Sequence, residues 1–202
     1  MGLTATKKGS DFEMTPEGVH PARCYRVIDL GTQTTEWNGQ KKKAHKVMLG
    51  WELLGDERMA DGRPFSISKR YTVSTHEKGN LRKDLESWRG KKFTPDEEAQ
   101  FEIKNVLGAY CLLNVTHNIG GDGNTYANIA AIMPLPKSMG KPQAVNENQL
   151  FDLDDRDMEL YESFSDKLKA TIAAADEWVR TSDAPKDDLP WQDDTADAII
   201  PF

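Results

Sequence analysis

Between Phe65 and Ser74 the residues alternate in character: Phe65, Ile67, Tyr71 and Val73 fall on one side, and Ser66, Ser68, Arg70 and Thr72 on the other. Successive side chains of a strand point to opposite faces, so this run reads as a half-buried strand and not as an amphipathic helix. Two more apolar runs rich in β-branched and aromatic residues precede it, Val19 to Leu30 and Ala44 to Leu54, with Pro21 placing the start of the first near an edge. Thr35 to Lys43 lies between them as a polar turn containing Asn38-Gly39, the strongest short hairpin signal, and Gly55 to Pro64 forms a charged turn. Beyond residue 108, Ala109 to Asn118 and Thr125 to Met133 read as a fourth and a fifth strand around the turn Gly120-Gly121-Asp122-Gly123-Asn124.

Helical signals interrupt the strands at one place. Over Glu77 to Arg89, Leu81, Leu85 and Trp88 recur at spacings of four and three, and Gly90 follows as a stop. Thr94-Pro95-Asp96-Glu97 is a second helix start, with Thr as N-cap, Pro in the first turn and acids beside the positive helix end. The order β-β-β-α-β-β is that of a five-stranded OB barrel with a helical insert between strands 3 and 4. The expected organisation is an irregular lead-in over 1–18 and a barrel domain over 19–137. A linker and helices over 138–180 then pack on the barrel or on a partner. There Asp155 to Phe164 and Ser165 to Arg180 read as helical, the second with a stripe of Leu168, Ile172, Ala175 and Val179. Residues 181–202 read as a disordered acidic tail.

The net charge of −7 hides a split. Residues 1–137 hold 20 Lys and Arg against 17 acids, a balance of +3, and residues 138–202 hold 6 against 16, a balance of −10. Such asymmetry points to a front that tolerates anions and a tail with a separate task. No apolar run approaches the roughly 18–20 residues that cross a membrane, and no apolar stretch follows Lys7 and Lys8 as a secretory signal would require. Cys24 and Cys111 sit in strand-like surroundings and read as buried, reduced thiols of a cytosolic protein. Neither a metal-ligand spacing nor a nucleophile motif is present, and Gly120 to Asn124 lacks the Lys-Ser/Thr of a phosphate-binding P-loop. The expectation is a binding protein, not an enzyme, without metal or cofactor.

Ser87-Trp88-Arg89-Gly90-Lys91-Lys92-Phe93-Thr94, then Phe101, then Val106 to Val115, occur in order after Lys69-Arg70-Tyr71-Thr72 and Asn80-Leu81-Arg82. These blocks resemble a family of bacteriophage single-stranded DNA-binding proteins with an OB fold, over roughly residues 19–135. Separately, the acidic end Ile199-Ile200-Pro201-Phe202 resembles the tail of bacterial single-stranded DNA-binding proteins, although Ala198 and Ile199 separate Asp197 from the last tripeptide. The resemblance implies coating of single strands in phage replication, recombination or repair, in the cytoplasm of the infected bacterial host.

Sequence-independent binding needs cations along the phosphates and aromatic faces for the bases. Trp37 with Lys41, Lys42, Lys43 and Lys46 offers both in one hairpin. Lys69, Arg70 and Tyr71 on the third strand, Arg82, Arg89, Lys91 and Lys92 around the helix end, and Tyr126 beside the Gly-rich turn complete the candidate surface. Trp51 and Trp88 read as core, and His76 and His117 as structural or surface residues. In the tail, Asp187-Asp188-Leu189-Pro190-Trp191 repeats the aliphatic-Pro-aromatic order of Ile200-Pro201-Phe202, with Asp193, Asp194 and Asp197 between. Both copies are candidate hooks for replication or recombination proteins, and the acids are candidate competitors of DNA for the basic groove. The alternative reading is a DNA mimic or protein-interaction protein acting through its acidic end.

Overall fold

The computed structural model describes residues 13–182 apart from Asn38, Thr75 and Glu77, with backbone alone for Trp37 and 180–182. The tail candidates from Asp187 to Phe202, and most of the lead-in, lie outside the described residues.

The chain is mainly β. Strands β1 (Gly18–Trp37), β2 (Gln40–Leu53), β3 (Ser66–Thr72), β4 (Tyr110–Ile119) and β5 (Thr125–Pro134) form an antiparallel sheet in the order β3-β2-β1-β4-β5. A short β6 (Gln149–Phe151) pairs parallel with β1 at Arg26 to Ile28. The sheet is open: β3 and β5 stand at its two ends. Helix α1 (Asn80–Arg89) packs against both end strands, and the Ser87 hydroxyl donates to the Ile132 carbonyl of β5 at 2.6 Å. Leu81, Leu85 and Trp88 are buried as their spacing predicts, and Gly90 ends the helix in the left-handed region at φ 69°. Thr94 caps α2 (Pro95–Gln100) in a capping box with Glu97.

The sheet has two cores. One lies between the sheet and α1, around Trp51, Trp88, Leu49, Leu113 and Ile132. Cys24 and Cys111 lie in it as free thiols, and burial pushes the Cys24 thiol up to about 12. The second core covers the opposite face of β1 and β2 with a C-terminal module: β6, α3 (Met158–Glu162), α4 (Asp166–Ala173) and α5 (Asp176–Ser182). Two irregularities in β1, between Cys24 and Arg26 and between Asp29 and Gly31, shift the alternation. Val27 therefore faces the first core, and Ile28 and Leu30 face the second, where Phe151, Leu153, Phe164 and Ile172 meet them.

The structure corrects several expected boundaries. The polar turn over Thr35 to Lys43 is strand on both sides, leaving a tight turn at Gly39 (φ 75°). The ladder runs to Trp37↔Gln40 because cross-strand hydrogen bonding holds polar residues in a twisted ribbon without a core beneath them. The helix expected over Ser165 to Arg180 breaks after Ala173. Leu168, Ile172 and Ala175 are buried as predicted, but Val179 is exposed, because α5 turns off to dock on β1.

Gly31 is the close-approach point of that docking. Its φ is +64°, and a Cβ there would lie 2.5 Å from Leu153 Cδ1, 2.6 Å from Ala175 Cβ and 2.7 Å from Glu177 Oε2. Gly31→Ala combines left-handed strain with overpacking and is expected to destabilise the fold by about 2–4 kcal/mol in urea denaturation. A loss under about 1 kcal/mol would show that the module yields at this point.

Candidate nucleic-acid interface

The face of β2 and β3 that points away from the first core is set by register. Lys46↔Thr72, Met48↔Arg70, Gly50↔Ser68 and Glu52↔Ser66 pair across the two strands. Lys42 lies four residues before Lys46 on the same parity, beyond the end of β3. Arg26 enters from the other side, opposite Gly50. Lys42, Lys46, Arg70 and Arg26 therefore fall on one face, with Lys42 to Gly50 covering about 27 Å of strand.

Two clefts cross this face and share Arg70. One is lined by Lys46, Arg70, Thr72, His76, Lys78 and Asn80, and the other runs from Arg26 and Arg70 to Lys167 of α4. Among the described residues, neither has an aspartate or glutamate in its lining. Lys46 Nζ donates to the Thr72 hydroxyl at 3.0 Å, and Arg26 Nε to the Gln149 amide oxygen at 2.6 Å, both neutral partners. Among the described residues, Lys42, Arg70, Lys78 and Lys167 are exposed and form no salt bridge.

The other sequence candidates are placed differently. Arg82 bonds Glu86 at 3.0 Å and Glu98 at 2.8 Å, and Arg89 and Lys91 converge on one oxygen of Glu97 at 2.6 and 2.7 Å. Lys91, the Thr94 amide and Arg89 together hold the Glu97 carboxyl down at about 2. This cluster is thus a neutralised network tying α1 to α2, with Lys92 exposed beside it. Lys69 bonds Asp84 at 2.6 Å, and the Tyr71 hydroxyl donates to the same carboxylate at 2.8 Å. Tyr71 is 3% exposed, so it is a core residue with no free ring face for a base. Tyr126 is exposed on the β4–β5 hairpin, but its hydroxyl donates to Asp122 at 2.5 Å, which puts a carboxylate beside the ring. The Trp37 side chain lies outside the described residues. His76 is exposed, and the His117 ring contacts the Thr15 carbonyl at 2.8 Å.

Lys41, Lys42 and Lys43 are exposed along the hairpin. Lys43 bonds Asp176 of α5 at 2.7 Å, and Glu177 accepts from the Thr32 amide at 2.7 Å and hydroxyl at 2.6 Å. Burial alone would raise the Glu177 carboxyl, but the two Thr32 donors outweigh it and hold the group at about 2. The C-terminal module is thereby pinned to the base of the hairpin.

Sequence reasoning missed Arg26, Lys78 and Lys167. Arg26 hides in a run read as apolar strand, and Lys167 sits on the polar face of an amphipathic helix. No local signal marks either. Among the described residues no group of three or more His, Cys, Asp and Glu could hold a metal ion, and no helix is long and apolar enough to cross a membrane. No protein-family model matches the sequence, and no curated protein matches it significantly.

Proposed function

We propose that the chain binds single-stranded DNA without sequence preference, along the outward face of β3, the Lys42–Lys46 end of β2 and the β1–β2 hairpin. The observation that carries this reading is the line of cations Lys42, Lys46, Lys78, Arg70 and Arg26, which among the described residues form no ion pair with an acid, in a chain whose net charge is −7. A chance distribution of charge on an acidic protein would intersperse carboxylates, as the α1–α2 cluster does. The strand order, with β3 and β5 at the ends and a helix between β3 and β4, is also that of a partly open OB barrel, whose ligand face is formed by strands 2 and 3 and the adjoining loops. The blocks resembling phage single-stranded DNA-binding proteins favour the same reading and a role in phage replication, recombination or repair, with the tail recruiting partner proteins.

Titration of the full chain with labelled oligo-dT at a series of salt concentrations tests it. Four to five phosphate contacts predict a slope of log affinity on log salt of roughly −3 to −4. A DNA mimic acting through its acidic end gives no affinity at any salt, and that result would remove the binding assignment. An equal affinity for oligo-U would widen it to single-stranded nucleic acid in general.

A further inference from the structure

The C-terminal module does more than cover the second core: one of its helices walls a cleft on the cationic face. The cleft has a volume of about 370 Å³. Its floor is made of small residues, Gly50, Ser66 and Ser68, and its far wall is Ser165, Lys167 and Leu168 of the α4 start. Gly50 is what admits Arg26 to the floor, since a Cβ at Gly50 would come within 3.1 Å of Arg26 Cβ. The Arg26 guanidinium is oriented from three sides, by the Tyr25 ring at 5.2 Å, the Phe164 ring at 6.0 Å and the Gln149 amide. Among the described residues no carboxylate bonds it. A planar guanidinium held in place with no anion is preorganised for a phosphate, which it can meet with two parallel N–H donors.

Lys167 strengthens the argument from the opposite wall. It is the second residue of α4, where a cation works against the helix dipole. In that position it faces the same cleft as Arg26 and Arg70, and three serines supply neutral donors between them. The cleft therefore offers three cations and three serine hydroxyls and, among the described residues, no acid in its lining.

We propose that this cleft is a phosphodiester subsite, through which the bound single strand leaves the β2–β3 face between β3 and α4. The assignment rests on the single-strand reading above and adds the C-terminal module to the binding surface. Arg70 and Lys167 are exposed, so replacing them removes charge without opening a core.

The test compares Arg70→Ala/Lys167→Ala with Lys83→Ala/Lys104→Ala, which removes the same charge from exposed positions elsewhere. All are full-length chains with matched thermal midpoints. For a 30-nucleotide oligo-dT at 0.1 M salt, loss of two phosphate contacts predicts about 25-fold weaker binding and a salt slope shallower by about 1.4 in the first variant. The control pair stays close to the unaltered chain. If the two variants behave alike while the unaltered chain binds with its steep slope, neither the cleft nor Arg70 is on the path, and the single-strand reading survives on Lys42, Lys46 and Lys78. If the unaltered chain shows no oligo-dT affinity, both assignments fall. Titration with inorganic phosphate and thymidine monophosphate separates the sources of the anion. Binding of these alone, abolished in Arg70→Ala/Lys167→Ala, would make the cleft a small-phosphate site and overturn the strand assignment.

Discussion

Glu52→Ala is expected to lower the stability of this protein by about 3–5 kcal/mol, because it leaves a buried guanidinium without its anion. Glu52 is fully buried and bonds Arg23 Nε at 2.7 Å, and the Arg23 side chain is 9% exposed. The carboxylate also accepts from the Asn146 amide and side chain, both at 2.8 Å, and more weakly from the Val145 amide at 3.3 Å. Arg23 in turn donates to the Asn148 side chain at 3.0 Å and to the Asn146 carbonyl. One ion pair thus fastens the segment after β5 across β1 and β2, just before β6. Without the carboxylate the segment loses its acceptors as well as its charge partner. Thermal and urea unfolding should both report the loss, with a fall in midpoint of roughly 2–4 °C per kcal/mol for a chain of this size. The paired replacement Arg23→Met/Glu52→Leu should cost much less, since it removes both charges together. A Glu52→Ala protein within about 1 kcal/mol of the original would mean that the clamp is not what holds the segment.

Lys42→Glu/Lys46→Glu is expected to weaken oligo-dT binding by at least about 25-fold at 0.1 M salt, the loss of two phosphate contacts, with repulsion adding to it. Both lysines lie on the outward face of β2, four residues apart, and neither is tied to an acid among the described residues. The salt slope should become shallower by about 1.4, and the effect should be the same for every oligonucleotide sequence, because phosphates carry no sequence information. Trp37→Ala serves as the contrasting arm. If the indole stacks on a base it costs roughly 1–3 kcal/mol with little change in slope. Unchanged affinity in the lysine variant would move the interface off the hairpin. Lys43 is the less informative choice, because Asp176 already takes up its charge.

Strands β1 to β5 and the first two helices were legible in the sequence because the signals that define them are local, whereas the short β6 was not read. Alternation over Phe65 to Ser74, the 4-then-3 spacing of Leu81, Leu85 and Trp88, and Thr94-Pro95 ahead of acids are each decided within one or two turns of chain, and each is found where expected. The buried state of Trp51, Trp88, Cys24 and Cys111 follows from the same patterns. The break between α4 and α5 was not legible, since nothing in 165–180 reports that Glu177 must turn to reach Thr32.

The candidate site divides along the same line. Composition alone located the cations, and the charge split alone separated a mildly basic front from an acidic end. Only the tertiary structure decided which cations are spent. Arg82, Arg89 and Lys91 form a basic cluster as written, yet Glu86, Glu97 and Glu98 neutralise it. Glu52 occupies an outward parity on β2 and would be solvated there, had the segment after β5 not folded over it. Arg26 and Lys167, 141 positions apart in the chain, are brought to one cleft by the irregularities in β1 and by the docking of α4. Periodicity records what each residue's near neighbours are, and it fixes the elements. Whether a charge is paired depends on groups that only the packing of distant segments brings within a few ångströms.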